Sequence, residues 1–171
     1  MARNNPVLED LARLKRELTA LGKMTVHVGI LGEADSEMLM IANVHEYGCT
    51  IKVTPKMRAF LHYMGIHLKK DTDTVNIPER SYIRSSFDTG QAELAKTVEN
   101  AIGKVIQGQK TARDAMEEIG LLAAQMTQQF INEGNVTPKD SDFTLEHKSQ
   151  KTTLVDSGRL VLSITHEVRG G

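Results

Sequence analysis

The sequence predicts one domain of mixed class, in which helices alternate with short strands. Two observations carry this. Several segments repeat apolar residues at spacings of three and four, the period of a helix with one buried stripe, while shorter ones alternate apolar and polar residues as half-buried strands do. A third bounds the domain count: 171 residues suffice for one substantial core, and two would each be small.

The elements follow in order. Pro6 to Leu21 is expected to be a helix, with Leu11, Leu14, Leu18 and Leu21 on a narrow seam and Gly22 as its stop. That seam could pack on its own domain, or residues 1–22 could form an arm that buries itself on a neighbour. Met24 to Leu31 alternates, with Met24, Val26, Val28 and Ile30 on one face, so His27 falls on the exposed face of a strand. Ser36 to Tyr47 reads as a helix closed by Gly48, and Cys49, Ile51 and Val53 then mark a short strand. After Thr54-Pro55, the spacing of Met57, Phe60, Leu61, Met64 and Leu68 fits a helix; a hairpin over 65–77 fits as well.

Pro78 suits the first turn of a helix running to about Phe87, because its missing N–H costs nothing there. Asp88 and Gln91 resemble a capping box that starts the next helix, with Leu94, Val98, Ala101, Ile102 and Val105 as its stripe. Thr111 and Asp114 open the clearest helix, which Gly134 ends. Residues 135–153 are polar and aperiodic, which predicts a long surface loop. A last strand is expected from about Val161 to Val168, entered through a turn at Asp156 and Gly158.

Composition limits the function classes. The chain is 40% hydrophobic and 25% charged, with a formal net charge of −1. A protein that grips nucleic-acid backbones is usually strongly basic, since each contact displaces a counterion. One basic stretch does stand out: Lys52, Lys56, Arg58, Lys69 and Lys70 with no acid between them. No apolar run approaches the roughly 20 residues that span a bilayer. The start of the chain lacks an apolar signal core, so secretion is not expected, and a single cysteine, Cys49, leaves no internal disulfide to form.

No catalytic or metal-binding pattern is found. His62 and His67, five apart, would lie on different faces of a helix, and His45 and Glu46 are neighbours that do not face each other. HExxH, paired cysteines and Gly-x-Ser-x-Gly are all missing. The expectation is therefore a non-enzymatic protein with no cofactor and no metal. Candidate interface residues lie on the segment Ile77-Pro78-Glu79-Arg80-Ser81-Tyr82-Ile83-Arg84. If this segment is helical, Arg80 and Arg84 repel on one face, and a carboxylate-bearing or phosphate-bearing partner would turn that cost into an asset. Glu79 and Tyr82 would flank them, and Leu11, Leu14 and Leu18 are the other candidates.

Three segments in order resemble the bacteriophage neck and tail-completion family, also called virion-morphogenesis or minor tail proteins. They are His45-Glu46-Tyr47-Gly48, then Ile77 to Arg84 with its Pro78, then Leu154 to Ile164 with Asp156, Ser157, Gly158, Leu160, Ser163 and Ile164. The resemblance covers the chain from about Met24 onward. It implies an α+β fold, a small mostly antiparallel sheet flanked by amphipathic helices. It also implies a homo-oligomeric ring, a hexamer by preference, at the head–tail junction or the top of the tail. Its partners would be neighbouring neck, connector or tail-tube proteins, with genomic DNA only passing through the bore and no membrane involved. Such a protein would reside in the virion, and in the host cytoplasm during assembly. The alternative is a DNA-binding or packaging accessory protein that uses the basic stretch 52–70.

Overall fold

A computed structural model describes residues 5–32, 36–141, 152–155 and 158–171. The fold is α+β, with an N-terminal helix. Helix α1 (Pro6–Leu21) leads to strand β1 (Thr25–Gly29) and helix α2 (Ser36–Tyr47). Strand β2 (Cys49–Lys52), helix α3 (Pro55–Tyr63) and strand β3 (Thr74–Ile77) come next. Two long helices, α4 (Ile83–Ile106) and α5 (Ala112–Asn132), precede a short helix α6 (Arg159–Leu162) and strand β4 (Thr165–Arg169).

The strands form two separate antiparallel pairs. Strand β1 pairs with β4 in the register Thr25↔Arg169 to Gly29↔Thr165, joining the two ends of the chain. Strand β2 pairs with β3, Cys49↔Ile77 to Lys52↔Thr74, and α3 lies within that hairpin. The β1–β4 pair packs on α5, where Gly120 permits the close approach. A Cβ there would stand 2.4 Å from the His166 ring and 3.0 Å from Val26.

Two clusters make the core. The larger gathers Met38 and Ala42 of α2, Tyr82, Ala124 and Ile131 of α5, Val136, and Leu160, Val161 and Ile164 near the C-terminus. The smaller joins Ala101 and Val105 of α4 to Ala115 and Ile119 of α5, with Leu21 of α1 packed against it.

Helix α1 packs onto its own chain, which decides between its two expected roles in part. Its N-cap Asn5 accepts a hydrogen bond from Val7 N, with Pro6 in the first turn. One turn apart, Arg13 and Glu17 grip the turn between α4 and α5. Arg13 donates to the carbonyls of Val105 and Ile106, both at 3.1 Å, at the negative end of α4. Glu17 accepts from Ala112 N at 2.6 Å, at the positive end of α5. Each charge opposes the helix dipole it meets. The seam itself stays largely open: Leu14 is half-buried, while Leu11 and Leu18 are 56% and 46% exposed.

Three expected boundaries are corrected. There is no helix from Pro78 to Phe87 and no restart at Asp88, because α4 begins at Ile83 and runs unbroken to Ile106. Its start is set by a cap from outside the segment, described below, so Asp88 and Gln91 are interior residues. The last strand starts at Thr165 rather than Val161. Leu160 and Val161 are adjacent and both buried, which a helical turn permits and a strand with one buried face does not. Leu162, which a strand from Val161 would place on one side with Ile164 and Val168, is 82% exposed while those two are buried. The segment 135–153 is also not wholly a surface loop: Val136 is fully buried, and Asp140 and Thr153 are nearly so. Its middle, 142–151, lies outside the described residues.

The grip of α1 gives a direct test. Replacing Glu17 with Ala strands the first N–H of α5 and is expected to cost about 1–3 kcal/mol. Thermal unfolding of the variant should then fall by several degrees, and Arg13→Ala should act in the same direction. An unchanged midpoint for both would show that α1 does not hold the turn.

Candidate functional site

The first two motif segments meet around one carboxylate. Helix α4 begins with Tyr82 as its N-cap residue, whose side chain makes no capping hydrogen bond. The first N–H groups of a helix have no partner inside it, and burying them unpaired is costly. Glu46, in the last turn of α2 and 3% exposed, fills that gap. Its Oε2 accepts from Tyr82 N at 2.8 Å and Ile83 N at 3.0 Å. Its Oε1 accepts from Ser81 Oγ at 2.9 Å, Arg84 N at 3.3 Å and Arg84 Nε at 3.0 Å.

Burial alone would push the Glu46 carboxyl up. The hydrogen bonds from the Ile83 amide, the Arg84 guanidinium, Ser81 and the Arg84 amide outweigh it and hold the group below its ordinary value of 4.5. The positive end of α4 adds to the same preference for a charged carboxylate. Tyr82 stands beside it, 1% exposed, and burial, then the Glu46 charge, then Tyr47 push its phenol well above the usual range.

The rest of both segments locks onto this junction. Arg84 Nη2 donates to the Glu46 carbonyl at 2.8 Å and to Glu79 Oε1 at 3.0 Å, while its guanidinium lies 4.9 Å from the centre of the Tyr47 ring. Arg80 N donates to the His45 carbonyl at 2.7 Å. The Arg80 side chain turns away, with Nε on the Pro138 carbonyl at 2.9 Å and Nη2 3.3 Å from Asp140. Gly48 closes α2 at φ +68, and a Cβ there would stand 2.7 Å from Glu79 N and 2.8 Å from the Ile77 carbonyl. Glycine is required twice over, by conformation and by space.

The third segment supplies core. Gly158, at φ +76, opens α6, and Leu160, Val161 and Ile164 enter the same cluster as Tyr82. Gln128 Nε2 donates to the Ile164 carbonyl at 3.0 Å, and Ser163 Oγ donates back to the Arg159 carbonyl at 2.8 Å. Asp156 and Ser157, expected to shape the turn before it, lie outside the described residues.

Several candidate residues therefore change meaning. Arg80 and Arg84 do not share a helix face, since only Arg84 is in a helix, and both are engaged within the chain. Tyr82 is core, not surface. Glu79, Tyr47 and the outer half of Arg84 do reach solvent at this junction. Glu46 is the residue whose role the sequence reading missed. An acid in the last turn of an expected helix, where the dipole disfavours it, is the one sign the sequence offers.

Comparison with protein-family models, curated proteins and solved structures gives no match. The site is therefore read on its geometry.

The β2–α3–β3 hairpin carries the other sequence candidates. His62 and His67 do not diverge as expected. Helix α3 stops at Tyr63, the chain folds back through Gly65, and the two imidazoles meet with Nδ1 atoms 2.8 Å apart. Arg58 is spent internally on the carbonyls of Lys69 at 2.7 Å and Thr72 at 2.6 Å. Lys52, Lys56, Lys69 and Lys70 are exposed. Among the described residues, no three His, Cys, Asp or Glu side chains are grouped to hold a metal ion. No helix there is long and apolar enough to cross a membrane.

Two outcomes follow from the junction. Glu46→Ala is expected to cost about 1–3 kcal/mol, the penalty for leaving buried amide donors without an acceptor, since the half-exposed Arg84 is rehydrated. Because the Glu46 carboxyl is held below its ordinary value, its contribution is complete above about pH 4.5 and is lost as pH falls through the lowered value. Thermal unfolding between pH 7 and 3 should show this acid loss in the native chain and less of it in Glu46→Gln. Gly48→Ala should cost about 1–3 kcal/mol from the strained φ, and the backbone contacts its Cβ would meet add to that. Denaturant titration that finds Gly48→Ala as stable as the native chain would refute the close approach.

Proposed function

We propose that this chain is a structural virion protein that assembles as a homo-oligomeric ring, at the head–tail junction of a bacteriophage or the top of its tail. The observation that carries the reading is the junction itself. Among the described residues, the first two motif segments interlock, and the polar groups of Glu46, Ser81 and Arg84 are consumed in binding each other rather than aimed at a substrate. Glu46 accepts five hydrogen bonds from the second motif segment, and the third motif segment completes the core beneath it.

The surface supports the same reading. Val7 and Leu8 are each 63% exposed, and with Leu11 and Leu18 they leave an apolar seam on α1 that an adjacent subunit or ring would cover. Neighbouring neck, connector or tail-tube proteins are the other expected partners. DNA passes through the bore without specific contacts, in keeping with the net charge of −1.

A second reading has one observation in its favour. The exposed lysines at 52, 56, 69 and 70 accompany exposed Phe60 and Tyr63, a mixture that suits nucleic acid. A DNA-binding or packaging accessory protein would bind DNA as the isolated chain, with affinity falling steeply as salt rises. Electron microscopy and native mass measurement of the purified protein should instead find closed rings, six subunits being expected. Phage that lack the protein should accumulate unjoined heads and tails. Intact infectious particles without it would sink the proposal.

A further inference from the structure

Helix α3 is anomalous as an isolated structure. It has nine residues, none of them buried, and no residue from Cys49 to Ile77 is buried. Helices this short are marginal in water and ordinarily gain their stability by packing an apolar face. Here the apolar residues face solvent: Phe60 is 61% exposed, Tyr63 86% and Met64 50%. Yet the hairpin is held in a definite shape. Thr54 Oγ1 caps α3 by accepting from Met57 N at 3.2 Å, and Arg58 gathers the carbonyls of the returning loop. Val53 N donates to the Asp73 carbonyl at 2.8 Å, extending the β2–β3 ladder toward the tip.

Charge identifies what covers it. From residue 52 to 70 the chain has five Lys and Arg and no acid, whereas from 24 to 51 it has four Asp and Glu and no Lys or Arg. Within that acidic half, α2 presents an exposed stripe. Glu37, Met40 and Tyr47 lie on one side of the helix, with Met40 59% and Tyr47 64% exposed. Of those four acids, Glu46 is buried and spent on α4, and residues 33 and 35 lie outside the described residues. One surface is therefore apolar with several lysines, and the other apolar with Glu37 as its exposed acid. Two different, complementary patches make a head-to-tail contact, and such contacts close into rings when the rotation permits.

We infer that the α3 hairpin of one copy docks on the α2 stripe of the next, Phe60 and Tyr63 against Met40 and Tyr47, with Lys56 and Lys69 facing Glu37. This deepens the ring reading and rests on it. A nucleic acid is the less favoured occupant, because the apolar side chains of the hairpin have an apolar counterpart on α2.

Charge exchange in the full-length chain tests the pairing. The variant Lys56→Glu with Lys69→Glu reverses the hairpin, and Glu37→Lys with Asn43→Lys reverses the stripe. All four positions are exposed, so thermal unfolding of the monomers should be unchanged. Should the hairpin variant unfold, Lys56→Gln with Lys69→Gln replaces it, and should the stripe variant unfold, Glu37→Gln replaces it. Sedimentation should show each variant assembling about tenfold or more weakly than the native chain. Mixing the two variants should restore assembly, because every hairpin then finds an opposite stripe in an alternating, even-numbered ring. One chain carrying all four changes should assemble alone.

If the native chain is monomeric at every concentration, the ring reading itself fails. If the native chain and both variants assemble alike, the ring stands and the hairpin contact is wrong. If both variants dissociate but neither the mixture nor the fourfold variant recovers, the two patches do not face each other and the pairing is overturned. Loss of DNA binding by the hairpin variant with assembly intact would assign the basic surface to nucleic acid and overturn it too.

Discussion

The fold depends on a carboxylate at the end of one helix standing in for the cap that another helix lacks. Helix α4 is 24 residues long, and its first turn contains no side chain of its own that satisfies the leading N–H groups. Glu46 reaches them from 36 to 38 positions earlier. A buried carboxylate is ordinarily a liability, since burial penalises its charge. Here three amides, a hydroxyl and a guanidinium converge on its two oxygens, and the charge is the favoured state. The arrangement fixes α2 and α4 relative to each other and, through Gly48, sets where the β2–β3 hairpin leaves the body.

The same physics recurs at the far end of α4. The closing carbonyls of α4 and the opening amide of α5 are met by Arg13 and Glu17, one turn apart on α1. Helix α5 adds its own capping box, Thr111 with Asp114. Between the helices, the Ser86 and Thr127 hydroxyls lie 2.9 Å apart, each within reach of a carbonyl of its own helix. One donates to the other, which donates to its own carbonyl, so both are engaged where water does not reach. Charges borrowed from elsewhere in the chain thus define both ends of the helix pair that the β1–β4 ladder packs against. The helix termini of the body are tied across long sequence distances.

That distance decides what the sequence could reveal. Helices α1, α2 and α5 were legible because their caps, stripes and stops are local: Pro6 and Gly22, Gly48, Thr111 and Gly134. Helix α4 was not. Pro78, and Asp88 with Gln91, are strong local punctuation, and they point to two helices with a break between them. The carboxylate that overrules them lies in another element, and nothing near residue 83 announces it. The last strand failed for a related reason: Leu160 and Val161 are consecutive, and only the core behind them shows that both are buried. Helical geometry would part the histidine pair, but the helix ends at Tyr63, before the chain turns back. The candidate site was legible as a set of residues and in its order, but the arginines were assigned to a partner when each already had one within the chain.

The hairpin's root belongs to the junction. Cys49 pairs with Ile77, and Gly48 passes against the backbone of Ile77 and Glu79, immediately beside the segment that Glu46 holds. A contact made at Phe60 or Tyr63 therefore bears on a ladder whose base is clamped to α2 and α4, not on a free loop. The exposed side of α2 is the outer face of the helix that carries Glu46. Two surfaces built on one buried carboxylate keep a fixed relation to each other within every copy. A ring needs that relation, because its closure depends on the angle between the patch that gives and the patch that receives. In the proposed ring the buried acid would serve assembly without touching a partner: it would fix the angle, and the exposed side chains would supply the contact.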